Sequence, residues 1–459
     1  MKRILAIARL TFKAAVRFRL VWALGVLLAV AVLVMPWFLQ DVGRAEDFIQ
    51  LLLTYTLSAI TGLLGLATLW LACGTLAKDV EECQIQMVVT KPVARWQIWV
   101  GKWIGIMSLN LLLLAVSGAA VYGVLMWRAS KLPAPLQEKL RSEIFVARGS
   151  AREPDPNFEP AVDKIYAQRV KDPSVATLDR EFVRKQIREQ LKTQVQIVPP
   201  NAERVWRINL GLAKSMARDK SLFLRTKFTV TQKSENGTYP VGWFVGVPQS
   251  QRVWRDAKSM AAETFHQVQI PPNLFDDNGV LTIAILNGSD TDMLFQLEDG
   301  MELLYPEGSF TLNYARGLAV LLLWIGLLAA IGLAASSVLS FPVATFFSLG
   351  ILMIVFSSGT ITQILQEGTV GEVNHDTGVA DKPSPIDVVA LPVFRAMAAV
   401  INLAQQFSPV DYLSSGRSIT WGQLGLAFAQ IWLLLGGICA LFGIITFTRR
   451  ELATAQGTQ

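Results

Sequence analysis

Residues 78–105 read KDVEECQIQMVVTKPVARWQIWVGKWIG and separate two apolar runs, 49–76 and 104–127. Each run reaches the roughly 20 residues that an α-helix needs to cross the hydrocarbon core of a bilayer. The stretch between them is short, charged and broken by Pro92, which lacks an amide hydrogen and pushes the preceding residue out of the helical region. A chain that leaves one apolar run, turns and enters another in this way reads as a polytopic α-helical membrane protein. The turn carries Glu81, Glu82, Lys91, Arg95 and Lys102, a charged surface of the kind that a membrane protein presents to a soluble partner.

The 459 residues are 52% hydrophobic and only 17% charged, too little polar surface for a soluble fold of this size. Apolar runs gather toward both ends and charge toward the middle. Six runs reach membrane-crossing length: 20–39, 49–76, 104–127, 313–339, 342–364 and 422–447. The first outruns the apolar core of a secretory signal, and no small-x-small site follows Met35-Pro36-Trp37, so it reads as a retained anchor. Lys and Arg collect on the cytosolic flanks of membrane helices. Here Lys2, Arg3, Arg9, Lys13, Arg17 and Arg19 precede the first run, Lys78, Lys91, Arg95 and Lys102 lie in the turn, and Arg449 and Arg450 follow the last. The loop 41–47 has one Arg against three acids. Both termini are therefore expected in the cytosol, in agreement with an even number of spans. The same bias accounts for much of the net charge of +6, so the basic balance does not point to nucleic acid.

Within residues 1–19, Arg9, Lys13 and Arg17 recur at i+4 while Ile4, Ile7, Leu10, Ala14 and Phe18 supply apolar contacts, the pattern of an interfacial helix. A large insert, 128–311, follows the third run. Its first part, 128–220, reads as mainly helical, with Leu178, Phe182, Ile187, Leu191 and Val195 forming a stripe. From Ser221 the period becomes two: Leu222, Leu224, Thr226, Phe228 and Val230 alternate with Arg225, Lys227, Thr229 and Thr231. Further short strands are expected at 242–247, 264–270, 280–286, 293–297 and 302–305, with Asn-Gly turns at 236, 278 and 287, so 221–310 reads as a small β-sandwich-like unit. Asn236-Gly-Thr and Asn287-Gly-Ser also match glycosylation acceptors, but Asn-Gly in a hairpin turn is the better reading of both pairs. A second segment outside the membrane, 365–421, contains Ile386, Val389, Val393, Met397, Val400 and Ala404 at helical spacing. Pro392 leaves open one helix or two.

The chemistry of several protein classes is missing. There is no Gly-x-x-x-x-Gly-Lys-Ser/Thr loop to cradle a nucleotide phosphate, since Gly101-Lys102 is followed by Trp103. There is no Gly-x-Ser-x-Gly elbow and no His-Glu-x-x-His helix. Asp276-Asp277-Asn278-Gly279 lacks the spacing of a calcium loop, and His266 and His375 alone do not build a zinc site. Cys73 and Cys439 fall in spans and Cys83 in the turn, so no disulfide supports the insert. The spans carry weak polar groups, among them Asn110, which suits a helix–helix hydrogen bond, a pathway or a protomer interface.

The turn resembles the coupling region of bacterial ABC exporter permeases of the type-2 family. Glu81-Glu82 matches the acidic start, Ile85-Gln86-Met87-Val88-Val89 the apolar turn, Lys91-Pro92-Val93-Ala94-Arg95 the Lys-Pro-x-x-Arg core and Gly101-Lys102-Trp103-Ile104-Gly105 the closing Gly-Lys-x-x-Gly. Cys83-Gln84 departs from the usual Gly-Thr, and the insert has no counterpart in the simplest members. The resemblance covers both membrane blocks. It implies six transmembrane helices, with both termini on the cytosolic side of a bacterial inner membrane, and leaves the insert, which by its own pattern reads as an α+β extracytoplasmic domain, unexplained. Residues 1–127 hold the N-terminal helix and three spans, with the coupling segment at 78–102; residues 312–459 hold three more. It further implies a separate soluble ABC ATPase as partner, docked through Glu81, Glu82, Lys91, Pro92, Arg95 and Lys102. A second permease protomer and an envelope partner of the insert are also expected. No cofactor, metal or catalytic residue is expected in this chain. A membrane-anchored scaffold and an ion-coupled secondary transporter are the alternative readings.

Overall fold

The computed structural model describes residues 1–17, 19–38, 45–82, 93–143, 145–171, 180–234, 236–247, 252–297, 299–370 and 386–450. The helices run α1 Lys2–Arg17, α2 Arg19–Phe38, α3 Ala45–Glu81, α4 Arg95–Ser130, α5 Ala134–Glu143, α6 Glu159–Arg169, α7 Arg180–Gln196 and α8 Lys214–Ala217. They continue with α9 Phe310–Ser336, α10 Phe341–Phe356, α11 Ser358–Glu367, α12 Asp387–Gln405, α13 Pro409–Ser414 and α14 Trp421–Arg449. The chain divides into a helical unit, Met1–Phe145 with Phe310–Gln459, and a second unit, Val146–Ser309.

In the helical unit, five helices among the described residues are long and apolar enough to cross a membrane, and up to seven segments are if each bent pair counts as one span. The five are α3 (from Ile49), α4, α9, α12 and α14. The bent pairs are α1 with α2, turned by 70°, and α10 with α11, turned by 54°. α3 and α4 outrun the apolar runs 49–76 and 104–127, so residues 78–81 and 95–102 are helix continuous with those runs. Lys78, Asp79 and Glu81 prolong α3 because their charges find partners there, as described below.

α1 seats Ile7 and the small residues Ala8 and Thr11 on α4. Ala8, Thr11 and Ala15 are buried, whereas Leu5 and Leu10 are exposed. The reason lies in α4: a Cβ on Gly101 would stand 2.8 Å from Ile7 Cβ, and one on Gly105 would stand 2.6 Å from the Ala8 carbonyl oxygen. Two glycines one turn apart admit a second helix at backbone distance, as small residues do in membrane interfaces. Of the residues expected to supply apolar contacts, Ile7 packs on the bundle while Leu10 and Ala14 face away from it. Phe18 lies outside the described residues.

α12 is one helix, with Pro392 inside it. Its first residue, Asp387, is buried and accepts hydrogen bonds from Thr369 Oγ1 and the Val370 amide, each at 2.9 Å. Val388, Val389, Val393 and Val400 are exposed along it.

The second unit holds strands β1 Val146–Ala151, β2 Ile197–Val198, β3 Glu203–Asn209, β4 Leu222–Thr226, β5 Thr229–Val230 and β6 Thr238–Gly246. Beyond them come β7 Val253–Ala261, β8 His266–Ile270, β9 Val280–Asn287, β10 Met293–Leu294 and β11 Met301–Ser309. They form two four-stranded sheets, β1-β11-β4-β8 and β3-β9-β6-β7, and a three-stranded one, β2-β10-β5. One core gathers the inward residues of these sheets, with Leu222, Leu224, Val268 and Leu303 from the first and Trp206, Val241, Trp243, Ile283 and Ile285 from the second. In β9, Leu281, Ile283, Ile285 and Asn287 are buried and the residues between them are not, the period of two that a half-covered antiparallel strand requires. The stretch 128–220 also contains β1, β2 and β3, beside the helices expected there.

α6 and α7 form a hairpin around Val162, Val183 and Ile187. The inner stripe of α7 holds the expected Ile187 and Leu191 together with Val183, and Val195 is exposed; Leu178 lies outside the described residues. Arg188 and Arg184 both bind Glu159, at 2.5 and 2.9 Å, and hold its carboxyl below the usual carboxylate range. A depressed folded-state pKa stabilises the hairpin above the unfolded value, and that contribution is lost as pH falls through the folded one. Glu159→Gln should raise proteolysis within 180–196 at neutral pH by a small factor, as suits exposed pairs. The gap between the two proteins should close in acid below the usual carboxylate range.

Candidate functional site

Arg95 opens α4, and its guanidinium reaches the far end of the chain. Its NH1 donates to the carbonyl oxygens of Phe447 at 3.0 Å, Thr448 at 2.7 Å and Arg450 at 2.8 Å. The last carbonyls of a helix lack intrahelical donors and carry the negative end of its dipole, so a cation there is doubly suited. Arg95 is thus the cap of α14. Arg450 NH1 in turn donates to the Ser337 carbonyl at 3.3 Å, just past α9.

Lys102 lies between the two glycines that seat α1 and is buried. Its ammonium meets Asp79 Oδ2 at 2.5 Å and the Thr75 carbonyl at 2.6 Å, which ties α4 to α3. Burying an ammonium without an anion is costly, so this pair decides how the two helices end together. Glu81 Oε1 accepts the Phe341 amide at 2.9 Å, satisfying one of the open N–H groups of α10. Lys78 stands 4.8 Å above the Phe341 ring. Glu82 is exposed beside Glu81. Trp96 is exposed, whereas Trp99 is buried against Gly443, where a Cβ would come within 2.7 Å of the indole nitrogen.

The structure therefore brings Glu81, Arg95 and Lys102 to one end of the helical unit, where α1, α3, α4, α9, α10 and α14 meet. Lys91, Pro92 and the Cys83-Gln84 pair lie outside the described residues. Asn110 is deeper in the bundle: it is buried and its Oδ1 accepts a hydrogen bond from Thr68 Oγ1 at 3.0 Å, a link between α3 and α4.

Asp79 escaped notice in the sequence, although a lone carboxylate at the end of an apolar run, facing a lysine in the next run, is itself a signal of pairing. So did Glu302 in the second unit, which is buried between Arg225 and Arg152, each at 3.3 Å, with Arg225 stacked 3.7 Å from the Phe265 ring centre. The Asp276 turn is explained by its backbone, since Oδ1 accepts the Asn278 and Val280 amides at 2.9 and 2.7 Å. Asn287 is fully buried, and its amide donates to the Val198 and Thr291 carbonyls, so its nitrogen is committed inside the fold. Among the described residues, no group of three or more His, Cys, Asp or Glu side chains is placed to hold a metal ion.

Asp79→Asn should leave the Lys102 ammonium buried among neutral acceptors with no anion beside it. The expected loss is about 2 kcal/mol, below the range for a fully buried pair because Asp79 is partly exposed. A fall of several degrees in the melting temperature of the purified protein should report it, and adding Lys102→Met should recover most of the fall. No protein-family model matches the chain, and no curated protein matches it.

Proposed function

We propose that this chain is the membrane-spanning subunit of an ATP-driven exporter of the ABC type, coupled to a separate ATPase through the segment between α3 and α4. The observation that carries the reading is the way this segment is anchored. Its leading end is tied to α10 through Glu81, and its trailing end to α14 through Arg95; Asp79 and Lys102 join the two flanking helices directly. A load applied to residues 83–92 is thus delivered to several helices at once. Passive anchors have no need of such ties, which favours this reading over a scaffold.

In this proposal six spans cross the membrane: α2, α3, α4, α9, the bent pair α10–α11, and α14. The basic ends of α1, α3, α4 and α14 meet at one end of the unit, as cytosolic flanks should. The second unit then lies outside the cytosol, and α12 rests at the opposite membrane face. The chain works as a dimer of such protomers in a bacterial inner membrane, and closure of the ATPase pair moves the spans as near-rigid bodies. Substrate contact or an envelope partner falls to the second unit.

The test is purification of the tagged chain from its native membrane under mild detergent, with bound proteins identified by mass spectrometry. An ABC ATPase should co-purify, and Glu82→Lys with Lys91→Glu should reduce its recovery at least tenfold without changing the melting temperature. A folded chain that brings down no ATPase overturns the reading.

A further inference from the structure

The fully buried apolar side chains of the helical unit fall into separate clusters, and two of them are bridged by the half-buried Leu322 of α9, which packs against both. One cluster holds Leu57, Ile60, Leu64, Leu114, Leu321 and Ile325; another holds Ala72, Leu76, Ile106, Met107, Ala329 and Leu333. The break between them falls at one level on three helices, after Leu64 on α3, between Met107 and Leu114 on α4, and after Ile325 on α9. At that level each helix carries a residue that does not pack as an aliphatic side chain: Thr68, Asn110 and Gly326. Thr68 and Asn110 are buried and bonded to each other, and the Asn110 amide nitrogen has no partner among the described residues. Gly326 leaves room for the Trp432 indole, which packs where its Cβ would stand. Trp103 Nε1 donates to the Gly326 carbonyl at 3.0 Å, Trp432 Nε1 donates to the Leu323 carbonyl at 2.9 Å, and the two indoles meet edge to face at 5.1 Å.

The fourth helix at this level departs from α geometry. Residues Phe428–Gly436 of α14, which include Trp432, form a π-helix, while α-helix precedes and follows them. Such wide turns are rare, weakly bonded and concentrated where helices change shape. At the 1.5 Å rise of a helix, Thr68 and Asn110 each lie about 20 Å from the charged ends Glu81 and Arg95, deep within a bilayer about 30 Å thick.

We infer that this layer is a hinge across the bundle, at which the charged half and the opposite half move relative to each other. Two well-packed blocks are bistable where they meet rather than continuously deformable, and a hinge lies where packing is interrupted. The polar pair keeps the blocks from fusing. The π-helical stretch absorbs the change in α14 by exchanging one wide turn for a normal one. Lys102, Arg95 and their partners move as one piece with the charged half. The hinge belongs to the chain itself and does not rest on an ATPase.

The test is amide hydrogen exchange on the purified chain in nanodiscs, without nucleotide. Residues 428–436 should exchange at least tenfold faster than 422–427 and 437–447. The double variant Thr68→Val with Asn110→Leu, which joins the two apolar clusters, should slow exchange in 428–436 at least fivefold. Protection across 428–436 equal to that of its flanks in the native protein overturns the hinge, whether or not the double variant folds. Fast native exchange that the folded double variant leaves unchanged overturns the role given to the polar layer.

Discussion

A buried ammonium must have an anion within reach, and the charged end of this bundle is arranged around that requirement. Lys102 of α4 is buried, and its ammonium meets the Thr75 carbonyl and Asp79 of α3. α3 extends about a turn past its apolar run to supply Asp79. That extension carries Lys78 and Glu81 to the start of α10, where a carboxylate and an aromatic ring can both be used. The order of dependence is physical: a buried Lys102 requires an anion, Asp79 supplies it, and the pair holds the end of α3 against α4.

The runs 49–76, 104–127, 313–339 and 422–447 were legible as membrane-length helices because their signal is collective: some twenty apolar residues in a row have few alternatives. The runs 20–39 and 342–364 belong to bent pairs instead, and α12 reaches the same length within the segment 365–421 that reads as outside the membrane. The charged turn was legible as a place but not as a set of contacts. Arg95 reads as an outward-facing charge until α14 is known to end beside it, and nothing local to Arg95 says so. In the second unit, β4 and β9 were legible from alternation and their turns. β1 (VARGSA) and β7 (VWRDAKSMA) were not, since small or charged residues occupy both faces and only pairing with β11 and β6 makes them strands. The helical stripes held Ile7 in α1 and Ile187 and Leu191 in α7 but missed Ala8, Thr11 and Val183, because the apolar pattern does not say which neighbour will arrive, or how small the facing residue must be.

The same distinction bears on how the turn between α3 and α4 would work. A charge already satisfied inside the chain is a poor docking group, because a partner would have to replace hydrogen bonds that exist. Arg95 caps three carbonyls and Lys102 is buried with Asp79, so in the proposed reading both would serve the lever rather than its contact surface. Recognition would then fall to exposed groups such as Trp96. A motif of the form Lys-Pro-x-x-Arg thus divides into parts with different work. Its arginine fastens the segment to the last span, so that what is felt between α3 and α4 reaches α14, the helix whose π-helical stretch lies at the break between the two apolar cores.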